Sequence, residues 1–137
     1  MTSPRIARRR FLVAAAGTLG GVAFLGSRPW RVLVSVVRPS PAARLVGLFA
    51  HRDSARALGR AVLRTTRTSR SVPRLVDEVA EGIDGGRAAL GSASDTELRE
   101  ALARRIRQDF AEDRVVTVDG WVLSVTETRL YALADLL

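Results

Sequence analysis

Ser94-Asp95-Thr96-Glu97-Leu98-Arg99-Glu100-Ala101-Leu102-Ala103-Arg104-Arg105-Ile106-Arg107-Gln108-Asp109-Phe110 is the stretch on which the reading of this fold turns. Ser94 and Glu97 have the spacing of a capping box: the serine hydroxyl accepts the amide three residues on, and the glutamate reaches back to the serine amide. Behind them Leu98, Leu102, Ile106 and Phe110 recur every four residues, with Ala101 and Ala103 between. That row predicts the longest helix of the domain, with the apolar stripe as central beam of the core. Arg99, Glu100, Arg104, Arg107 and Asp109 are expected on its outward side, where Glu100 and Arg104 suit an i to i+4 ion pair.

Downstream the period drops from four to two. Val115-Val116-Thr117-Val118-Asp119-Gly120-Trp121-Val122-Leu123 reads as a hairpin, because Asp-Gly suits a turn whose two central residues need positive φ. Two strands alone are marginal, so the hairpin must lean on the helices, with Trp121 as a core or lid residue. Ser124-Val125-Thr126-Glu127 is a second capping box, and a last helix follows through Leu130, Tyr131, Leu133, Ala134, Leu136 and Leu137. An apolar helix end of this kind is expected to dock on the core or on a partner. Trp121, Tyr131, Leu133 and Leu137 are the candidate partner-interface residues.

Upstream, Arg38-Pro39-Ser40-Pro41 marks a boundary that no helix crosses comfortably. A first helix is expected from Pro41 or Ala42, burying Leu45, Val46, Leu48 and Phe49. A second, capped by Asp53 or Ser54, should bury Ala57, Leu58, Ala61, Val62 and Leu63 and show a row of Arg56, Arg60, Arg64 and Arg67. Thr65 to Ser71 reads as a polar linker. A third helix from Ser71 should bury Leu75, Val76, Val79, Ala80 and Ile83. Gly82, Gly85, Gly86, Gly91 and Ser92 read as a flexible connection; no strand precedes Gly82-Ile83-Asp84-Gly85-Gly86 and no Lys-Ser/Thr follows, so a phosphate loop is excluded on context.

The chain has 137 residues, a formal charge of +8 and no cysteine. Thiolate metal sites, iron–sulfur clusters and cysteine nucleophiles are therefore excluded. Residues 1–43 hold seven arginines and no acid, leaving fifteen arginines against fourteen acids from Arg44 onward. The excess basicity belongs to the head of the chain, and a nucleic-acid-binding domain loses its support. Within the remainder, residues 44–74 carry eight arginines and one acid, and residues 75–137 seven arginines and thirteen acids. The two parts are expected to attract each other.

The head itself is Ala7-Arg8-Arg9-Arg10-Phe11-Leu12-Val13, followed by an apolar run to Gly26 that contains four glycines and four alanines. Arg8-Arg9, one residue, then Phe11-Leu12 resembles the twin-arginine export consensus of bacteria, and the low hydrophobicity of the run agrees with it. An ordinary secretory signal or a short anchor is the competing reading. Phe11 to Gly26 is 16 residues, short of the ~20 of a spanning helix. Val32 to Val37 adds a second apolar stretch beyond Trp30 and Arg31, and no good small-x-small cleavage site is present. Residues 11–37 thus read either as a removable signal or as a tether to the inner membrane.

With that head, Val118-Asp119-Gly120-Trp121-Val122-Leu123-Ser124-Val125-Thr126-Glu127-Thr128-Arg129-Leu130 resembles small bacterial twin-arginine signal-domain proteins. The layout is also similar to the small exported subunits of membrane flavin dehydrogenases, in which a larger catalytic chain without a signal travels with the small one. This likeness implies the twin-arginine machinery and a larger periplasmic dehydrogenase chain as partners, and residence in the periplasm or on the periplasmic face of the inner membrane.

Catalysis finds little to use. His51 is the sole histidine, no serine sits in a nucleophile elbow, and Asp109, Glu112, Asp113 and Asp119 read as carboxylates at a helix end. A hydrolase would need a concave site joining His51 to those carboxylates. The sequence therefore predicts a non-enzymatic chain with no catalytic, cofactor or metal residues. Residues 1–40 are expected as signal or signal-anchor with its Pro/Ser linker, and 41–137 as a mainly α domain: a small helical bundle with one short C-terminal β-hairpin, after an N-terminal signal or anchor helix. Two functions follow: an escort subunit for a folded, redox-cofactor-bearing partner, or a stand-alone membrane-tethered periplasmic domain with a structural role.

Overall fold

Three serines open helices by the same local chemistry in the computed structural model, which describes residues 38–137. Ser40 accepts the Ala43 amide at 3.2 Å and starts α1 (Pro41–Gly47), with proline in the first turn where its missing N–H costs nothing. Ser94 and Ser124 open α5 (Asp95–Ala111) and α6 (Val125–Leu136), and both capping boxes are complete. Glu97 and Glu127 return to the serine amides at 2.7 Å and 2.8 Å. The two box bonds hold the Glu97 carboxyl below its ordinary pKa. Ser124 also joins β2 to α6 and is buried, so Ser124→Ala is expected to cost about 1–2 kcal/mol, against about 1 kcal/mol or less for exposed Ser94→Ala; urea unfolding of the two variants checks the order.

Between these lie α2 (Arg52–Thr65), α3 (Val72–Ala80) and α4 (Gly86–Ser92). Helix α2 starts before the expected Asp53 or Ser54, with His51 at its cap and no side-chain bond there. Its buried face is Ala55, Gly59, Ala61, Val62 and Leu63; Ala57 points to solvent and Leu58 is half-buried. Helix α4 replaces the flexible connection expected from the glycines. Gly85, at φ 80°, turns the chain into it, Leu90 is buried beneath it, and Arg44 holds its end. The Arg44 guanidinium donates to Leu90 O at 2.7 Å and to Ala93 O, and meets Asp95 Oδ1 at 3.1 Å. A cation on the last carbonyls of a helix is favourable for both hydrogen bonding and the dipole.

Strands β1 (Val115–Val118) and β2 (Trp121–Ser124) pair antiparallel, Val116 against Leu123 and Val118 against Trp121. Asp119 and Gly120 carry the positive φ values, 47° and 84°, that the turn requires. The described region is thus mainly helical with one short C-terminal hairpin, as the sequence predicts.

The central element is α6 rather than α5. It packs against α1, α2, α3, α5 and both strands. Thr126, Thr128, Leu130, Ala132, Leu133 and Ala134 are all buried, and no residue of the helix is fully exposed, so its neighbours enclose it on every side. Gly59 lets α2 approach so closely that a Cβ there would be driven into the Tyr131 carbonyl. On α5, Leu98 and Leu102 are buried, Ile106 is half-buried and Phe110 is exposed. A strict row of four drifts about 40° per step on a helix of 3.6 residues per turn, so Phe110 has left the face that Leu98 began. Asp109, eleven residues from Leu98, has returned to it, and is fully buried where the sequence places it outward.

Three ion pairs bridge the arginine-rich and acid-rich parts: Arg44 with Asp95, Arg60 with Asp135 at 3.6 Å, and Arg74 with Glu78 at 3.0 Å. The expected attraction is therefore realised within the domain.

Candidate functional site

The sequence-predicted residues take very different places. Arg8, Arg9, Phe11 and Leu12, with the tether 11–37, lie outside the described residues. Among those that are described, no helix is long and apolar enough to cross a membrane.

Trp121 shares a hairpin face with Val118 and Leu123, since cross-strand partners point the same way. Val118 and Leu123 are buried, but Trp121 stands at the tip beyond the core and is 67% exposed. It is neither the core nor the lid residue that the sequence suggested. Val122, on the opposite face, is 54% exposed. Tyr131 is half-buried, its ring stacked on Phe49 at 5.3 Å. Burial, aided by Glu127, raises its phenol pKa above the ordinary value. Leu133 has no exposed surface at all. As a partner-interface residue it is therefore corrected: it is a core residue of α6, facing inward because every side of that helix is covered. Leu137 is half-exposed at the far end of α6 from Ser124. Of the four candidates, Trp121 and Leu137 thus remain on the surface.

His51 lines a small groove with Phe49, Ser54, Leu58 and Tyr131, where no carboxylate joins it. Asp109 is in a different setting. Its Oδ2 accepts the Thr126 amide at 2.9 Å, and its Oδ1 lies 2.8 Å from Arg114 Nη2 and 3.3 Å from Arg105 Nε. Arg114 also meets Glu112 at 2.7 Å. The contacts at Oδ1 are not aligned as hydrogen bonds, so they act there as opposite charge. Burial pushes the Asp109 carboxyl pKa up; hydrogen bonding from Thr126 and the two guanidiniums pull it down and prevail, leaving it below the ordinary value. This group is an internal clasp between α5, the hairpin entrance and the first turn of α6. The hydrogen bonds and ion pairs of Asp109 among the described residues are to Thr126, Arg105 and Arg114, and none is to His51. Among the described residues, no group of three or more His, Asp or Glu could hold a metal ion.

A sizeable concavity among the described residues lies elsewhere, on the segment that the sequence reads as a polar linker. A cleft of about 620 Å³ opens between the α2–α3 loop, α3, β1 and the start of α6. Thr65, Thr66, Thr68 and Ser69 line it, with Arg67, Glu78, and Arg74 and Arg129 paired to that glutamate. Thr65 and Thr66 hydroxyls bond the Ala61 and Val62 carbonyls at 2.8 Å each, which fixes the loop against the end of α2. Glu78 holds Arg74 Nε and Arg129 Nε at 3.0 Å each, and Arg129 Nη1 donates to the Glu78 carbonyl at 3.3 Å. Its sequence signal was the density of hydroxyl and arginine in Thr65-Thr66-Arg67-Thr68-Ser69-Arg70-Ser71. What could not be read there is that α3 and α6 bring two further arginines to it.

Comparison with protein families, with curated proteins and with solved structures finds no match to this chain.

Proposed function

We propose that this chain is a non-catalytic accessory subunit, exported by the twin-arginine pathway, that escorts a folded, cofactor-bearing partner chain and holds it in the periplasm. Residues 1–40 supply the address, as removable signal or as anchor helix, and the helical domain supplies the grip. The observation that carries the reading is the exposure of Trp121 on a hairpin face where Val118 and Leu123 are buried and Val116 is half-buried. An exposed tryptophan at a hairpin tip offers a large contact surface, the usual character of an interface anchor. Val122 adds a second exposed apolar side chain on the opposite face of the hairpin.

The stand-alone tethered domain is the second reading, and the inward packing of Tyr131 and Leu133 favours it. Substituting Arg8→Lys with Arg9→Lys keeps the charge and removes the guanidinium pair. Fractionation of the native host is expected to find the wild-type chain and its partner in the periplasm, and both retained in the cytoplasm when the pair is replaced. Export of the double variant at the wild-type level contradicts the twin-arginine route. Export of the wild type with no companion chain leaves the tethered domain.

A further inference from the structure

We propose that the cleft between the α2–α3 loop, α3 and α6 binds a phosphate monoester. Charge is the first argument. Arg67, Arg74 and Arg129 against Glu78 give the cleft a formal +2, in a chain that from Arg44 onward carries only one net positive charge. A phosphate monoester carries about −1.5 to −2 at pH 7, whereas a carboxylate ligand would neutralise only half of the excess.

Geometry is the second. Glu78 engages both Arg74 and Arg129 through Nε, and the only Nη that it occupies is Nη1 of Arg129, through its backbone carbonyl. The carboxylate thus orients two guanidinium planes while, among the described residues, both Nη of Arg74 and Nη2 of Arg129 are left for an acceptor. Forks of this kind match phosphate oxygens two at a time. Ser69 Oγ accepts the Ser71 amide at 3.1 Å, so its proton is left to donate.

Size is the third. The cleft falls within the range of small-molecule sites and is larger than a bare phosphate requires. Val116, Val125 and the Thr128 methyl provide an apolar wall for the esterified group. A soluble phosphate ester and a monoester headgroup at a membrane surface share this chemistry, and the assay separates them.

The test uses the full chain in mild detergent, titrated by calorimetry with glycerol 3-phosphate and with inorganic phosphate. A parallel flotation assay uses phosphatidylcholine vesicles with and without phosphatidic acid. Arg67→Gln with Arg74→Gln removes two exposed side chains from the rim and leaves the N-terminal arginines intact as an internal control; circular dichroism checks its fold. Saturable binding of the soluble ester, weakened at least about tenfold in the double variant, supports the site with a soluble ligand. Binding seen only with phosphatidic acid vesicles, and lost in the double variant, supports it with a headgroup ligand. Failure of the wild type to bind in either assay overturns the proposal, as does equal binding by the double variant.

Discussion

Alanine in place of Gly59 is expected to destabilise the domain by about 3 kcal/mol or more, because a methyl there collides with main chain. Helix propensity alone predicts the reverse, since alanine in a helix interior is better than glycine by about 1 kcal/mol. Position 59 reverses the sign. An added Cβ would meet the Tyr131 carbonyl oxygen, lie 2.8 Å from its carbonyl carbon and stand 3.0 Å from Asp135 Cβ. A carbonyl in the middle of α6 cannot rotate away without breaking that helix, so α2 must move outward and open the most extensive helix contact of the fold. Gly91 is the control. It also lies within a helix, yet a Cβ there meets nothing within 4 Å, and Gly91→Ala is expected to be neutral or stabilising by up to about 1 kcal/mol. Thermal melts of the two variants should therefore shift in opposite directions or by very unequal amounts. Equal shifts would mean that α2 does not pack on α6 as described.

Asp109→Asn is the second large effect, expected to cost about 1–3 kcal/mol, the range for leaving the partners of a buried polar group unsatisfied. The amide can still accept from Thr126, but Arg105 then loses its carboxylate and Arg114 keeps only Glu112. The same group sets a pH dependence. Its folded pKa lies below its unfolded value, so its stabilisation is complete above the unfolded value of about 3.9 and is lost as the pH falls through the folded one. Urea midpoints measured between pH 6 and pH 2 should fall at the acid end in the wild type, and that part of the slope should be missing in Asp109→Asn.

These two residues also mark where the sequence stopped being legible. Local rules located most elements: the capping boxes at Ser94 and Ser124, the Asp119-Gly120 turn, the proline start of α1 and the buried face of α3 were all readable, since each depends on residues a few positions apart. Asp109 is buried against the outward expectation because the apolar row repeats every four residues while the helix turns every 3.6, and the difference accumulates along seventeen residues. Gly59 and α4 were missed for another reason. A glycine in sequence signals freedom, whereas here Gly59 marks the closest approach of two helices and the glycines around α4 are overruled by Leu90 and Arg44. Both effects come from contacts distant in sequence. The centrality of α6 was visible in principle, in its lack of a polar face.

The candidate site was legible only in part. Trp121 was singled out, but its burial was judged from residue type, and only the register of the hairpin places it past the edge of the core. The cleft beside the α2–α3 loop was half visible, as a hydroxyl-rich segment, since the arginines that complete it arrive from α3 and α6.

The measurement that bears most directly on the escort role is co-purification from the native host with a C-terminally tagged chain, comparing the wild type with Trp121→Ser plus Val122→Ser. Both side chains are exposed, so the double variant should fold and melt as the wild type does. The account predicts that a larger chain without an export signal of its own accompanies the wild type in near-equal amount, and that the hairpin variant is exported normally but alone. A companion that binds both chains equally, or a wild type exported without one, would contradict the hairpin tip as the grip on a partner.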